Sequence, residues 1–117
     1  MSNFKRQMRN YRVGLIKKLR AFSIEDIIIS EHAMVRIKQR QLDINEIKEN
    51  IINPKRLKYA IKQFPLKKGE AKYDCYFDYS KNLCHRYVIV IRKNIIVVTA
   101  IKINRRWQNI VYSIKKK

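Results

Sequence analysis

Hydrophobic side chains recur every three or four residues in the first half of the chain, and this spacing predicts three helices. The first helix covers residues 4–22. The second begins at Ser30, whose hydroxyl can cap it, and runs to about Gln41. The third begins at Asp43 and ends at Asn53-Pro54, because the residue before a proline disfavours helical geometry. The apolar stripe of the first helix consists of Phe4, Met8, Tyr11, Leu15, Leu19 and Phe22.

From residue 55 onward the period changes to two, which is typical of strands. Four segments show it, at 57–62, 73–79, 86–92 and 95–101. Lys81-Asn82 and Lys93-Asn94 are predicted to be two-residue turns of consecutive hairpins. The sequence therefore predicts an α+β fold, an antiparallel sheet of about four strands with N-terminal helices packed on one face.

These turns set a predicted strand register. Asp78 would lie opposite His85, His85 opposite Lys102, and Tyr76 opposite Tyr87, forming a polar patch on one face. That patch could bind or cut RNA, or be the solvated side of the sheet, and a one-residue slip would reverse the faces. Arg86 would lie on the apolar face near Ile101, at the rim. The predicted core face carries Tyr73, Cys75, Phe77, Val88, Val90, Val97, Thr99 and Ile101.

Charge narrows the choice of partners. The 117 residues include 28 Lys and Arg against 9 Asp and Glu, a formal net charge of +19. We expect one domain, with a core at 28–103, a basic helical extension at 1–24 and a basic tail at 104–117. A surplus this large attracts polyanions, and nucleic acid is the first candidate. No apolar run approaches the roughly 20 residues that span a bilayer, so we expect a cytoplasmic protein with no membrane partner. Cys75 and Cys84 are expected to be free thiols.

His32, Arg36 and Arg40 follow one another at intervals of four residues on the second helix. Side chains at this spacing share a face. A neutral imidazole near pH 7 can accept a proton, and guanidinium groups can hold phosphate oxygens by forked hydrogen bonds. RNA supplies its own nucleophile, the 2′-hydroxyl, so the pattern fits cleavage of RNA with no metal and no cofactor. The alternative is a solvated basic helix face with a histidine packed at its end.

The segment ISEHAMVRIKQRQLDINEIKENIINP, followed by RYVIVI and IIVVTAIK, resembles a family of small prokaryotic domain-of-unknown-function proteins related to RelE/ParE-like and BrnT-like toxins. The resemblance covers roughly residues 28–103. It implies helices against a small antiparallel sheet and metal-independent endoribonuclease activity, with His32, Arg36, Arg40 and Thr99 as the matching site residues. The chain departs from the family at Gln41, where glycine is usual, and in its basic N-terminal extension.

Two functions from different classes follow. The first is a toxin-like endoribonuclease with an acidic antitoxin as partner. The second is a non-catalytic nucleic-acid-binding protein, in which Tyr76, Tyr87 and Trp107 stack on bases. A third alternative is a protein whose N-terminal stripe docks on a partner or on a second copy, giving a homo-oligomer. The residues predicted to bind RNA outside the catalytic set are Arg9, Arg12, His85, Arg86, Tyr87, Lys102, Arg105 and Arg106.

Overall fold

The computed structural model describes residues 10–64 and 67–104, which form three helices and five strands. The strand order across the single sheet is β1-β5-β4-β3-β2, with β1 parallel to β5 and the other neighbours antiparallel. A single 3-10 turn, Ile24–Asp26, precedes β1. The elements are α1 (Arg12–Leu19), β1 (Ile27–Ile29), α2 (Glu31–Gln39), α3 (Ile44–Ile52), β2 (Leu57–Gln63), β3 (Ala71–Ser80), β4 (Leu83–Ile91) and β5 (Ile95–Ile103).

The α+β class is confirmed, but the sheet is mixed and five-stranded rather than antiparallel with four strands. The predicted meander is present as β2 to β5. The added strand, β1, consists of three consecutive isoleucines, Ile27–Ile29. So short and uniform a segment has no alternation by which it could be predicted. No helix in the described ranges is long and apolar enough to cross a bilayer.

The helix starts follow the predicted caps. The Ser30 hydroxyl accepts from the Ala33 amide at 3.1 Å, and the Asp43 carboxylate accepts from the amides of Asn45 and Glu46. These side chains satisfy backbone N–H groups that have no partner inside the helix. Of the predicted helix at 4–22, the structure contains α1, whose Leu15 and Leu19 are buried. Residues 1–9, together with the tail from residue 105, lie outside the described ranges.

The end of α2 is a Schellman motif. The Leu42 amide donates to the Ile37 carbonyl at 3.0 Å, and the Gln41 amide donates to the Lys38 carbonyl at 3.1 Å. Gln41 has a φ of 56°, in the left-handed region where glycine is favoured. Glycine would adopt this conformation with less strain than the glutamine that this sequence has there.

The β3–β4 hairpin has the predicted two-residue turn, Lys81-Asn82, but a bulge lies in β3 just before the turn. Tyr79 is the extra residue, so the ladder beyond it shifts by one position. Phe77 lies opposite His85, and Asp78 does not. The predicted pairing of Asp78 with His85 is therefore wrong, as is the pairing of the tyrosines at 76 and 87.

The β4–β5 hairpin differs from the prediction by two register shifts of one residue each, and these two shifts cancel. Its loop has three residues, Arg92–Asn94, instead of two. A bulge at Val98 then restores the shift, so that His85 lies opposite Lys102 as predicted. Arg86 also lies opposite Ile101 as predicted.

The shifts decide which side chains face the helices. Because of the Tyr79 bulge, β4 points His85 and Tyr87 into the core, where 2% and 0% of their surfaces are exposed. The predicted polar patch therefore does not form. Val88 and Val90 lie on the opposite face instead, by the alternation of the strand. Residues packed between the helices and the sheet include Leu15, Ala33, Ile37, Ile47, Ile51, Cys75, Phe77, Tyr87, Ile89, Val97 and Ala100.

A second, smaller cluster lies on the other face of the sheet and contains Tyr59, Tyr76 and Cys84. Cys75 belongs to the first cluster, so the two cysteines lie on opposite faces of the sheet, and both are free. Burial is the main cause that raises the pKa of the Cys84 thiol to about 12. Both thiols are therefore poor nucleophiles near neutral pH.

Candidate functional site

A cleft opens where β1 ends and β5 continues. β1 pairs with β5 only as far as Val97, and the Ser30 amide then donates to the Val97 carbonyl at 3.0 Å as the chain turns into α2. Beyond that point, in the described part of the chain, the outer side of β5 is flanked by α2 rather than by a strand. A cleft of about 220 Å³ lies between helix and strand, and it is lined by His32, Arg36, Arg40, Val98 and Thr99.

The amphipathic pattern of α2 orients its three polar residues. Ala33 and Ile37 are fully buried against the sheet. His32, Arg36 and Arg40 are exposed at intervals of four residues, as the sequence predicts. The helix is therefore held on the core by one face, while the neighbouring face lines the cleft with one imidazole and two guanidinium groups.

The bulge in β5 supplies the opposite wall. With an unbroken alternation, Thr99 would follow Val97 onto the core face, as the strand pattern predicts. The extra residue, Val98, moves that core position to Ala100, which is fully buried, and leaves Thr99 half-buried beside the cleft. The prediction from alternation was wrong for Thr99. Thr99 therefore lines the cleft together with His32, Arg36 and Arg40.

Arg40 is fixed in place by the backbone of β5. Its Nη1 donates to the Ala100 carbonyl at 2.8 Å, and the residue itself forms the C-terminal cap of α2. One of five guanidinium N–H groups is used in this bond, so the others can meet a ligand. The salt bridges of the described residues are Arg86–Asp74 and Arg92–Glu70. The two cleft arginines are therefore not neutralised by a carboxylate in that part of the chain.

His85 and Tyr87, which were predicted to bind RNA, belong instead to a buried hydrogen-bonded network. The Asn50 amide donates to the hydroxyls of Tyr79 and Tyr87, at 2.7 and 2.9 Å. The Tyr79 hydroxyl donates to the Glu46 carboxylate at 2.9 Å. The Tyr87 oxygen lies 2.7 Å from His85 Nδ1. A phenol oxygen can both donate and accept, so the direction of this bond depends on the tautomer of His85.

Burial lowers the pKa of His85, and the charges of Lys102 and Arg56 lower it further, while Glu46 acts in the opposite direction. Burial likewise raises the pKa of Tyr87. The network therefore keeps both groups uncharged near neutral pH. The bulge at Tyr79, which brings these residues together, has no signal in the sequence pattern.

The remaining predicted RNA-binding residues are distributed over the molecule. Arg86 forms two hydrogen bonds with Asp74, at 2.8 and 2.7 Å, on the face opposite to the helices. Those bonds are the main cause that raises the pKa of Arg86. Arg12 donates through Nε to the Leu57 carbonyl at 2.6 Å, and Lys102 is exposed. Three of the residues predicted to bind RNA lie outside the described ranges, namely Arg9, Arg105 and Arg106.

Within residues 10–64 and 67–104, no group of three or more His, Cys, Asp or Glu side chains is placed to hold a metal ion. No protein-family model, curated protein or solved structure matches this chain. The resemblance to RelE/ParE-like and BrnT-like toxins therefore stays a prediction, carried by the sequence motif itself.

Proposed function

We propose that this protein is a metal-independent endoribonuclease of the toxin type, which cleaves RNA by attack of the 2′-hydroxyl on the adjacent phosphate. The observation that supports this most is the lining of one open cleft by His32, Arg36, Arg40 and Thr99. A proton-transfer group and two permanent cations can supply the proton transfer and the charge stabilisation that this reaction needs, and a hydroxyl can orient the substrate.

In the proposed reaction, His32 is the general base that takes the proton of the 2′-hydroxyl. The 2′-oxygen then bonds to phosphorus, and the bond from phosphorus to the 5′-oxygen breaks. The leaving 5′-oxygen takes up a proton, either from the imidazolium or from water. The products are a 2′,3′-cyclic phosphate and a 5′-hydroxyl. A positioned base of this kind contributes roughly 10²- to 10⁴-fold to the rate.

Arg36 and Arg40 would stabilise the charge that builds on the phosphate oxygens in the transition state. The bond from Arg40 to the Ala100 carbonyl holds one guanidinium in place before substrate arrives. Groups fixed in this way need no reorganisation when charge develops, which is why preorganised donors stabilise transition states effectively. Thr99 would orient the ribose or a phosphate oxygen by a hydrogen bond.

The test is cleavage of single-stranded RNA in EDTA by the wild type and by His32→Ala and Arg36→Ala. The expected result is a loss of at least about 10²-fold in rate for each variant, because each removes a group that acts on the transition state. The matched control is Lys93→Ala, which removes an exposed charge from the β4–β5 loop and should leave the rate unchanged. Equal rates for wild type and His32→Ala would exclude His32 from the mechanism.

Tight binding of RNA that stays intact after long incubation would favour the alternative, a non-catalytic nucleic-acid-binding protein. As parts of the same proposal, the activity is directed at cytoplasmic RNA and is held in check by an acidic antitoxin. A partner of that charge would suit a chain with a formal net charge of +19.

A further inference from the structure

A row of side chains crosses one end of the sheet and leads from the cleft to Arg56. It starts at Arg40, which donates to the Ala100 carbonyl at 2.8 Å. Two residues farther along β5, Lys102 is directed to the same face of the sheet as Ala100. Lys102 in turn lies opposite His85 in the β4–β5 ladder.

The row continues from His85 by ring contacts. The Tyr79 ring stacks on the imidazole with 4.4 Å between centroids, and the Arg56 guanidinium carbon lies 4.2 Å from the Tyr79 centroid. Arg56 Nη1 also donates to the Asp78 carbonyl at 3.3 Å. The guanidinium is thus held flat on a ring by a cation–π contact and a hydrogen bond. The row spans the sheet from β5 to β2, about 14 Å at 4.8 Å per strand.

The charged members of this row are exposed, whereas its centre is buried. Arg40, Lys102 and Arg56 are exposed, and His85 is only 2% exposed. Neither salt bridge of the described residues involves these three cations. Glu46 is the carboxylate that influences both Tyr79 and His85, and it accepts a hydrogen bond from Tyr79. Positive charge therefore exceeds negative charge along the row.

We propose that Lys102 and Arg56 form a basic track, which begins at Arg40 in the cleft and binds phosphates of a single-stranded RNA leaving it. The inference rests on the proposed function, which places the scissile phosphate in the cleft beside His32, Arg36 and Arg40. A cleft of about 220 Å³ suits the sugar and phosphate of one strand. Attack by a 2′-oxygen also requires it to line up with phosphorus and the leaving oxygen, a geometry that a regular A-form duplex does not offer.

The test measures binding of a fluorescent single-stranded 2′-O-methyl oligonucleotide by anisotropy over a range of salt concentrations. Each phosphate contact contributes about 0.7 to the slope of log K against log salt for a single strand. Lys102→Ala and Arg56→Ala should each lower that slope by about 0.7. Lys93→Ala is the control, because Lys93 is an exposed lysine in the loop at the opposite end of β5.

A fourth variant should act in the opposite direction. Glu46→Gln keeps an acceptor for the Tyr79 hydroxyl but removes the negative charge beside the track, so it should tighten binding. The track is overturned if Lys102→Ala and Arg56→Ala keep the slope of Lys93→Ala, if the wild type does not bind the strand, or if duplex RNA binds with the same sensitivity to both variants.

The oligonucleotide carries no free 2′-hydroxyl, so this measurement is independent of cleavage. If the two variants lower the slope but the protein leaves natural RNA intact, the track is supported and the proposed endoribonuclease activity is contradicted. If cleavage depends on His32 but the slopes are unchanged, the proposed endoribonuclease activity is supported and the track is contradicted.

Discussion

Removing one oxygen atom, the hydroxyl of Tyr87, tests how much the buried hydrogen-bonded network contributes to the stability of the fold. Tyr87 is fully buried, and its hydroxyl is bonded to Asn50 at 2.9 Å and to His85 Nδ1 at 2.7 Å. Tyr87→Phe removes both bonds and leaves Nδ1 buried without a partner. A typical hydrogen bond contributes about 1 kcal/mol, and an unsatisfied buried group costs about 1–3 kcal/mol. The expected loss of unfolding free energy is therefore about 2–4 kcal/mol.

The assay is urea unfolding followed by circular dichroism, in which the midpoint should fall while the slope m stays constant. Tyr79→Phe is the matched control, because it also removes one hydroxyl from the network. Tyr79 is half-buried, so water can replace its bonds, and the expected loss is about 1 kcal/mol or less. Equal losses in the two variants, or a loss below about 0.5 kcal/mol in Tyr87→Phe, would show that the buried bonds of Tyr87 do not stabilise the fold in this way.

Three further predictions concern stability. Gln41→Gly should raise the unfolding free energy by about 1 kcal/mol, since glycine takes the left-handed conformation without steric cost; a lower urea midpoint would contradict this. Because burial lowers the folded pKa of His85 below its ordinary 6.5, the unfolded chain binds the proton more readily. Stability is therefore retained above that value and lost as the pH falls below it, and an unchanged midpoint between about pH 7.5 and 5.5 would disprove the effect. Asp74→Ala should cost about 2 kcal/mol by leaving Arg86 without its carboxylate, discounted because Arg86 is partly exposed, and a thermal melt that matches the wild type would exclude this.

The helical half of the fold could be predicted because its signals are local. Ser30 and Asp43 are capping residues whose bonds lie within three positions of themselves, and the apolar spacing of α2 fixes which side faces the core. The cleft-lining residues of α2 could be predicted from the sequence for the same reason. A helical period places His32, Arg36 and Arg40 on one side without any knowledge of the sheet.

The strand half could be predicted only up to its irregularities. A bulge adds one residue without changing the sequence pattern, and each bulge exchanges the two faces of everything beyond it. The bulge at Tyr79 therefore moved His85 and Tyr87 from a predicted surface patch into the core. The bulge at Val98 moved Thr99 out of the predicted core, to the wall of the cleft. The parallel strand β1 was missed because its pairing with β5 connects segments that are remote in the sequence.

The central claim is that the cleft of His32, Arg36, Arg40 and Thr99 cuts RNA through the 2′-hydroxyl. Its most direct test is a single-stranded oligonucleotide that is 2′-O-methylated at every position except one, incubated with the protein in EDTA. We expect one cut, at the single free 2′-hydroxyl, with a 2′,3′-cyclic phosphate on one product and a 5′-hydroxyl on the other, and a much slower reaction with His32→Ala. Cuts at methylated positions, a linear phosphate formed at once, or an equal rate with His32→Ala would contradict it.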